Sequence, residues 1–279
     1  VLIVNKMFCS PGREKSYASH KTCFSKAQLQ AICVQLQIKT NKTDNKKAIW
    51  SAINDKMASK CKDERCWIQF VQIDASVSHK PPQPISWTNN PHNWLDSDDL
   101  KHVMTQYESK YKTFKFIGVL PIDFNSPRDI YSDICVRDEL CNINLSTMKQ
   151  KQFGIIFNMD RHDQSGSHWV CAYVNLNPKN KNYGFNYFDS GARAIPEQIN
   201  TFAKKVRLDE KQKGTIKNFC IRYSKTQKQF GKSECGMFCL YFLTQCLKGV
   251  SFSTIDKEAI SDEHMYSLRN KMFMKRDYL

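Results

Sequence analysis

The spacing of apolar and polar positions divides the chain into a helical first third and a mixed remainder. Leu29, Ile32, Cys33 and Leu36 recur three and four residues apart behind Ser25, and Ile49, Ile53 and Met57 do the same behind Asp44 and Asn45. This spacing gathers apolar side chains on one helical face, and the Ser, Asp or Asn ahead of it supplies an N-cap, so helices are predicted over 25–37 and 45–60. Lys80-Pro81-Pro82-Gln83-Pro84 lacks peptide hydrogens where either a helix or a central strand needs them, and marks a linker or domain edge near residue 85. Beyond it, Ser97-Asp98-Asp99 caps a predicted helix over 100–110, and the run 114–120, ended by Pro121, has strand character. Three runs rich in aromatic and β-branched residues, 153–159, 168–176 and 183–189, are separated by the turn-forming Asp163-Gln164-Ser165-Gly166 and Asn177-Pro178-Lys179-Asn180. They are predicted to be neighbouring strands of one sheet. Pro196 opens a helix to about Leu208, and 216–223 is a further strand. The stretch from Cys235 to Leu247, ended by Gly249, is apolar nearly all round and reads as a buried central helix. A last helix, capped by Ser261 and Asp262, carries Met265, Leu268 and Met272. The fold class is therefore α+β: a small, mainly helical domain over 1–85, then a domain over 86–279 with a central mixed sheet packed by helices.

Composition narrows the setting. With 279 residues, 41% of them hydrophobic, the chain is long enough to bury a sizeable core. No apolar run reaches the roughly 18 residues that a bilayer-spanning helix needs, and no membrane span is expected. Val1, Leu2, Ile3 and Val4 are followed so soon by Lys6 that no secretory signal is expected, and the absence of an initiator Met leaves the true start open. The net charge is +15, and +8 of it falls on the first 85 residues. Such an excess points to nucleic acid, an anionic surface or an acidic partner, or equally to a solvated face with no partner. Twelve cysteines would suit a disulfide framework, but Cys171, Cys239 and Cys246 lie in apolar segments where a free thiol serves as a small hydrophobe, so a reducing interior is expected. The close pairs Cys61 and Cys66, Cys135 and Cys141, and Cys235 and Cys239 include no CxxC and no second knuckle, so no metal and no cofactor are expected.

Cys235 follows the polar segment Gln229-Phe230-Gly231-Lys232-Ser233-Glu234 and stands at the start of the buried helix. Unpaired N–H groups and positive potential at a helix N-terminus favour a thiolate, which a nucleophilic cysteine needs. On position alone, a buried structural cysteine is the competing reading. A thiolate also needs an imidazole to hold and return its proton. His168 opens a strand after a Gly-Ser turn, at a sheet end where clefts form, while His162 in the preceding loop is the nearest rival. Asp189 ends the next strand and would sit beside His168 if the two strands are adjacent, although a turn residue before Ser190-Gly191 is an equal reading.

His168-Trp169, then Asp189-Ser190, then Gln229 six residues before Cys235-Gly236 resembles the signature of the cysteine proteases that include the SUMO proteases and the adenovirus protease. The resemblance is strongest to the SUMO-protease-like enzymes of African swine fever virus and related large DNA viruses. It is carried by Asn158, Gly166-Ser167-His168-Trp169-Val170, Tyr187-Phe188-Asp189-Ser190, Glu234-Cys235-Gly236 and the tail from Ile260 to Tyr266. It spans about 150–275 and implies a papain-like or adenain-like core behind a helical arm. It further implies Cys235 as nucleophile, His168 as general base and acid, Asp189 as its orienting acceptor, and Gln229 as oxyanion donor with Gln227 as the fallback. Trp169 would close over a tunnel that admits only Gly-Gly, and Asn158 would be a polar residue near the site. SUMO proteases usually carry Asp where this chain has Glu234, a departure that argues against a host-type deSUMOylase. The implied activity is endopeptidase cleavage of viral structural polyproteins after Gly-Gly-X during virion maturation, in host cytoplasm and virion, with a basic arm that contacts nucleic acid or the virion core. A deconjugase for a ubiquitin-like modifier and an inactive basic binding protein are the alternatives.

Overall fold

The computed structural model describes residues 8–41, 43–125, 127–129, 132–135, 143–212, 214 and 218–276. The chain divides into two compact units, one made of Val1–Ile85 with Arg269–Leu279 and the other of Ser86–Leu268.

In the first unit the helices are α1 (Glu14–His20), α2 (Lys26–Gln35), α3 (Lys46–Met57) and α4 (Glu64–Trp67). Ser25 caps α2 in a reciprocal pair with Gln28, and the Asn45 side chain accepts from the Ala48 amide to cap α3. The expected stripes are the core: Leu29, Ile32 and Cys33 of α2 pack with Ile49, Ile53 and Met57 of α3 around Phe24 and Trp67. Two disulfides, Cys9–Cys23 and Cys61–Cys66, staple this unit. Both lie in this unit, while Cys171, Cys239 and Cys246, expected as free thiols, are free. The second disulfide joins a close pair that had been weighed for zinc. Residues from Arg269 onward join this unit rather than the domain expected over 86–279. Met274 explains it: its amide donates to the Pro81 carbonyl at 2.8 Å and its carbonyl accepts from Gln83 at 2.8 Å. The proline segment thus pairs through the backbone groups it still has.

The second unit contains α5 (Ser86–Asn89), α6 (Ser97–Lys110), β1 (Phe114–Leu120), β2 (Pro127–Asp129), β3 (Ser132–Cys135), β4 (Gln152–Asn158), β5 (Trp169–Asn175) and β6 (Gly184–Phe188). It continues with α7 (Glu197–Gln212), β7 (Cys220–Tyr223), α8 (Cys235–Leu247) and α9 (Phe252–Lys257), and α10 (Asp262–Met272) begins in it. Five strands form one mixed sheet in the order β1-β4-β5-β6-β7, while β2 and β3 pair separately. The outer pairings, β1 with β4 and β6 with β7, are parallel; the inner two are antiparallel. The expected strand 216–223 is shorter, and its residues 216 and 217 lie outside the described residues, as do Val1 to Val4. The α6 cap is Asp96, whose side chain accepts from the Asp99 amide at 2.8 Å, one residue ahead of the expected Ser97.

Every residue of β5 is buried, because the sheet is covered on both faces. Val170, Ala172 and Val174 join Phe153, Ile155, Phe157, Phe185 and Tyr187 against Ile199, Phe202 and Val206 of α7. On the other face Phe188 stacks on Phe242 of α8 at 4.7 Å, and Cys171 donates to the Cys239 carbonyl at 3.9 Å. Each of these aliphatic and aromatic side chains contributes about 1.5–3 kcal/mol when withdrawn from water, which fixes α8 under the sheet. All of α8 except Gln245 is buried, as its all-round apolar sequence requires. At the sheet edge Gly184 has φ +124°, and a Cβ there would lie 2.1 Å from the Cys220 carbonyl, so only glycine lets β7 pair beside β6.

Candidate active site

Three chain segments bring the predicted residues together. His168 directly precedes β5 and Asp189 directly follows β6; the register pairs Cys171 with Phe188, which puts both residues at one end of the sheet. His168 Nε2 lies 2.7 Å from Asp189 Oδ1. Cys235 begins α8, and its thiol is close enough to His168 to act on the charge of the imidazole. The helix starts with Glu234 at the cap position and no capping bond from its side chain, so the positive end of the helix faces the sulfur. Cys235 is 1% exposed and Asp189 fully buried.

Burial alone would lower the imidazole pKa of His168. The hydrogen bond to Asp189 and the nearby Cys235, with the charges of both, outweigh it and raise the pKa to about 9. Burial likewise pushes the Asp189 carboxyl up, but its bond to His168, the charge of His168 and the Gly191 amide together hold it below the ordinary value. The Gly191 amide donates to Oδ1 at 2.8 Å and that of Arg193 to Oδ2 at 3.3 Å. Asp189 is therefore a charged acceptor, not a turn residue that happens to lie near. A neutral imidazole held in this way takes the sulfur's proton, becomes an imidazolium beside a thiolate, and can later deliver that proton elsewhere. The rival His162 is paired instead with Asp123, Nδ1 to Oδ2, at 2.6 Å.

Gln229 is 8% exposed and held at both ends of its amide: Oε1 accepts from Ser190 Oγ at 2.6 Å and Nε2 donates to the Gly231 carbonyl at 3.0 Å. An amide nitrogen carries two hydrogens, so one donor remains for a ligand. The Ser190 carbonyl accepts from the Lys228 and Gln229 amides at 2.8 and 3.1 Å, and Asp262 Oδ2 accepts from those of Phe230 and Gly231, both at 2.9 Å. Gln227 donates to the Gln229 carbonyl at 3.0 Å and so braces the loop. Trp94, His168, Arg193, Gln227, Gln229 and Phe230 are among the residues lining a cleft of 490 Å³.

Trp169 and Asn158 line a neighbouring cleft of 690 Å³. Trp169 is buried, its indole N–H donating to the Leu95 carbonyl at 2.9 Å. Trp94, 39% exposed, borders both clefts. Sequence reasoning missed Trp94 and Ser190; the only signals were an aromatic residue in a polar loop and a hydroxyl beside Asp189. Asn158 is a loop organiser: its Oδ1 accepts from the Asp160 and Ser167 amides at 3.0 and 3.3 Å. Gly166, at φ +92°, passes so close that a Cβ there would lie 2.6 Å from the Asn158 side-chain nitrogen. This turn presents His168.

Residues 141–278 match the model of the Ulp1 protease family, C-terminal catalytic domain. A protein of Acanthamoeba polyphaga mimivirus named as a thiol protease is 32% identical over 183 residues, which span 64% of this chain and 56% of that protein. A cysteine protease of African swine fever virus is 21% identical over 281 residues, covering 93% of this chain and 97% of that one. A crystal structure of an African swine fever virus protease covers 97% of this chain and 96% of its own at 18% identity with a TM-score of 0.65, a likeness of fold. Residues 141–278 thus form a Ulp1-like cysteine protease domain.

Proposed function

We propose that the chain is a viral cysteine endopeptidase that cleaves structural polyproteins after Gly-Gly-X sites. The observation that carries the chemistry is His168, bonded to Asp189 at 2.7 Å and acted on by Cys235 at the N-terminus of a buried helix.

The Cys235 sulfur, its proton held on His168, attacks the scissile carbonyl carbon. A C–S bond forms and the carbonyl π electrons move to oxygen. The free N–H of Gln229 and the backbone N–H of Cys235 receive that oxyanion, and a donor of this kind contributes about 3–4 kcal/mol. As the intermediate collapses, the C–N bond breaks and His168 protonates the leaving amine. A water then loses its proton to His168 and adds to the thioester. Expulsion of the thiolate frees the acid and restores the starting pair. Asp189 stays ionised and keeps the ring oriented throughout.

Selection for Gly-Gly works by exclusion: Trp94 and Trp169 line the approach, and a Cβ at either subsite would meet a ring. The basic arm, +8 over residues 1–85, suits contact with nucleic acid or the virion core, and the protein would act in host cytoplasm and in the virion. The test is a fluorogenic panel of Gly-Gly-X, Ala-Gly-X and Gly-Ala-X peptides with wild type and Cys235→Ser. Thiol-dependent cleavage confined to Gly-Gly-X supports the reading. Turnover only of a folded ubiquitin-like modifier replaces it with a deconjugase. No turnover of either by folded protein refutes it.

A further inference from the structure

Within the first unit, four side chains from distant parts of the sequence meet in a dry pocket. Cys9 and Cys23 are fully buried, Glu64 and His79 each 2% exposed. The Cys23 sulfur, a Glu64 carboxylate oxygen and a His79 ring nitrogen all lie within 4.8 Å of one another. His79 Nε2 is 3.2 Å from Glu64 Oε1. Cys9 joins them twice over: it is disulfide-bonded to Cys23 and stands opposite His79 in an antiparallel bridge. The bridge is held on both sides, by Ser10 N–H to the Ser78 carbonyl at 2.9 Å and by Lys80 N–H to that of Phe8 at 2.8 Å.

From this convergence we infer that Cys9, Cys23, Glu64 and His79 form a structural zinc site when the Cys9–Cys23 bond is reduced. Two thiolates, an imidazole and a carboxylate are a donor set that zinc accepts tetrahedrally, and four protein ligands make a closed site without an open catalytic position. Bond lengths of about 2.0–2.3 Å to such a metal require donors about 3.3–3.8 Å apart; the Cys23, Glu64 and His79 atoms, within 4.8 Å of one another, have at most about 1 Å to close, while the Cys9 sulfur, freed from Cys23 on reduction, swings in as the fourth donor.

The surroundings are those of a metal site as well. A ligating histidine ordinarily has its other nitrogen engaged, and His79 Nδ1 lies 3.1 Å from Ser78 Oγ. The second Glu64 oxygen accepts from the Trp50 indole at 2.8 Å, and Oε1 also accepts from the Cys23 amide at 2.8 Å. Phe8 stacks on the His79 ring at 5.8 Å, and Phe24 packs at 4.5 Å. The histidine and carboxylate are thus oriented whether or not the sulfurs are paired. The ligands fall at positions 9, 23, 64 and 79, which match no knuckle spacing, so spacing carries no zinc signal.

The exchange between the two states balances. A dithiol reductant supplies two electrons; its own sulfurs pair as the Cys9–Cys23 bond breaks, and its two protons pass to Cys9 and Cys23. Binding of Zn²⁺ then releases those two protons to water. Cys9 and Cys23 therefore serve as a staple under oxidation and, together with Glu64 and His79, as a metal clip under reduction.

The test uses the full chain as Cys235→Ser, which removes the competing helix-terminal sulfur of the second unit. Protein reduced with a dithiol, supplied with Zn²⁺ and desalted anaerobically is expected to retain about one zinc per chain, and the oxidised protein about a tenth of that or less. Co²⁺ in its place should give the intense visible bands of tetrahedral coordination with a sulfur-to-metal band in the near ultraviolet. Folded Cys23→Ser or His79→Gln should lose the metal; retention of full zinc by both overturns the inference, as does a reduced protein that holds none. A measurement on the unaltered chain serves if the variants do not fold. Zinc should shield Cys9 and Cys23, but not Cys61 and Cys66, from iodoacetamide in the reduced protein. Equal alkylation with and without zinc refutes the site.

Discussion

The two units use the same element, sulfur, in opposite ways. In the first, four of the five described cysteines are paired, Cys9 with Cys23 and Cys61 with Cys66, leaving Cys33. In the second, Cys171, Cys220, Cys235, Cys239 and Cys246 are all free. The difference follows from what each unit can bury. The first has short helices around two modest clusters, and a fold of that size gains most from cross-links. The second closes a five-stranded sheet between helices and needs none. Its Cys235 is the nucleophile proposed above, while burial pushes the thiols of Cys171, Cys239 and Cys246 up and leaves them inert.

The sharpest break of this contrast is in the second unit. Cys235→Ala and His168→Ala should each lower peptide turnover by about four orders of magnitude or more while circular dichroism and the unfolding midpoint hold; turnover within tenfold of wild type would remove the residue from the chemistry. Gln229→Ala should cost about 10²–10³ in kcat with KM little changed, because the lost donor acts on the oxyanion; a change confined to KM would contradict that role.

Asp189→Asn sharpens the comparison through pH. The His168 pKa is raised to about 9, so its imidazolium persists below that value and is lost as pH rises through it. Its contribution to stability is complete below about 6.5 and fades across the same window. The alkaline limb of kcat/KM is therefore expected near pH 9. Without the Asp189 charge it should move down by about one to three units. A limb that stays in place would show that the carboxylate does not set the imidazole's charge.

The smallest effect on activity is expected in the first unit. Cys61→Ser with Cys66→Ser opens a short loop and should cost about 2 kcal/mol of that unit's stability by the chain-entropy account. Peptide turnover should stay within about twofold. Differential scanning calorimetry beside the activity assay checks both halves.

Much of this was legible beforehand for local reasons. Ser25 with Gln28, and Asn45, announce helix starts because their side chains bond their own first turns. The run from Cys235 to Leu247 is buried because it has no polar face to expose. His168, Asp189 and Cys235 could be brought together because sheet register turns sequence order into proximity. What the sequence hid depends on partners far along the chain. Trp94 gains its place from the segment around Leu95, fixed by the Trp169 indole, and Ser190 from a loop almost forty residues on. The disulfide partners of Cys9 and Cys61 are set by tertiary packing that spacing does not encode. Met274 pairs with the proline segment across nearly two hundred residues.

Gly184 touches no substrate and holds no proton, yet the absence of its side chain lets β7 lie beside β6. From the end of β7 the chain runs through Ser224, whose hydroxyl donates to the Asp189 carbonyl at 2.9 Å, to Gln229. A single methyl at 184 would meet a carbonyl at an impossible distance and impose a backbone strain of about 1–3 kcal/mol. Such a load, applied at the rim that carries the loop, is the signature of a temperature-sensitive protein: Gly184→Ala would keep the loop in place in the cold and lose it on warming.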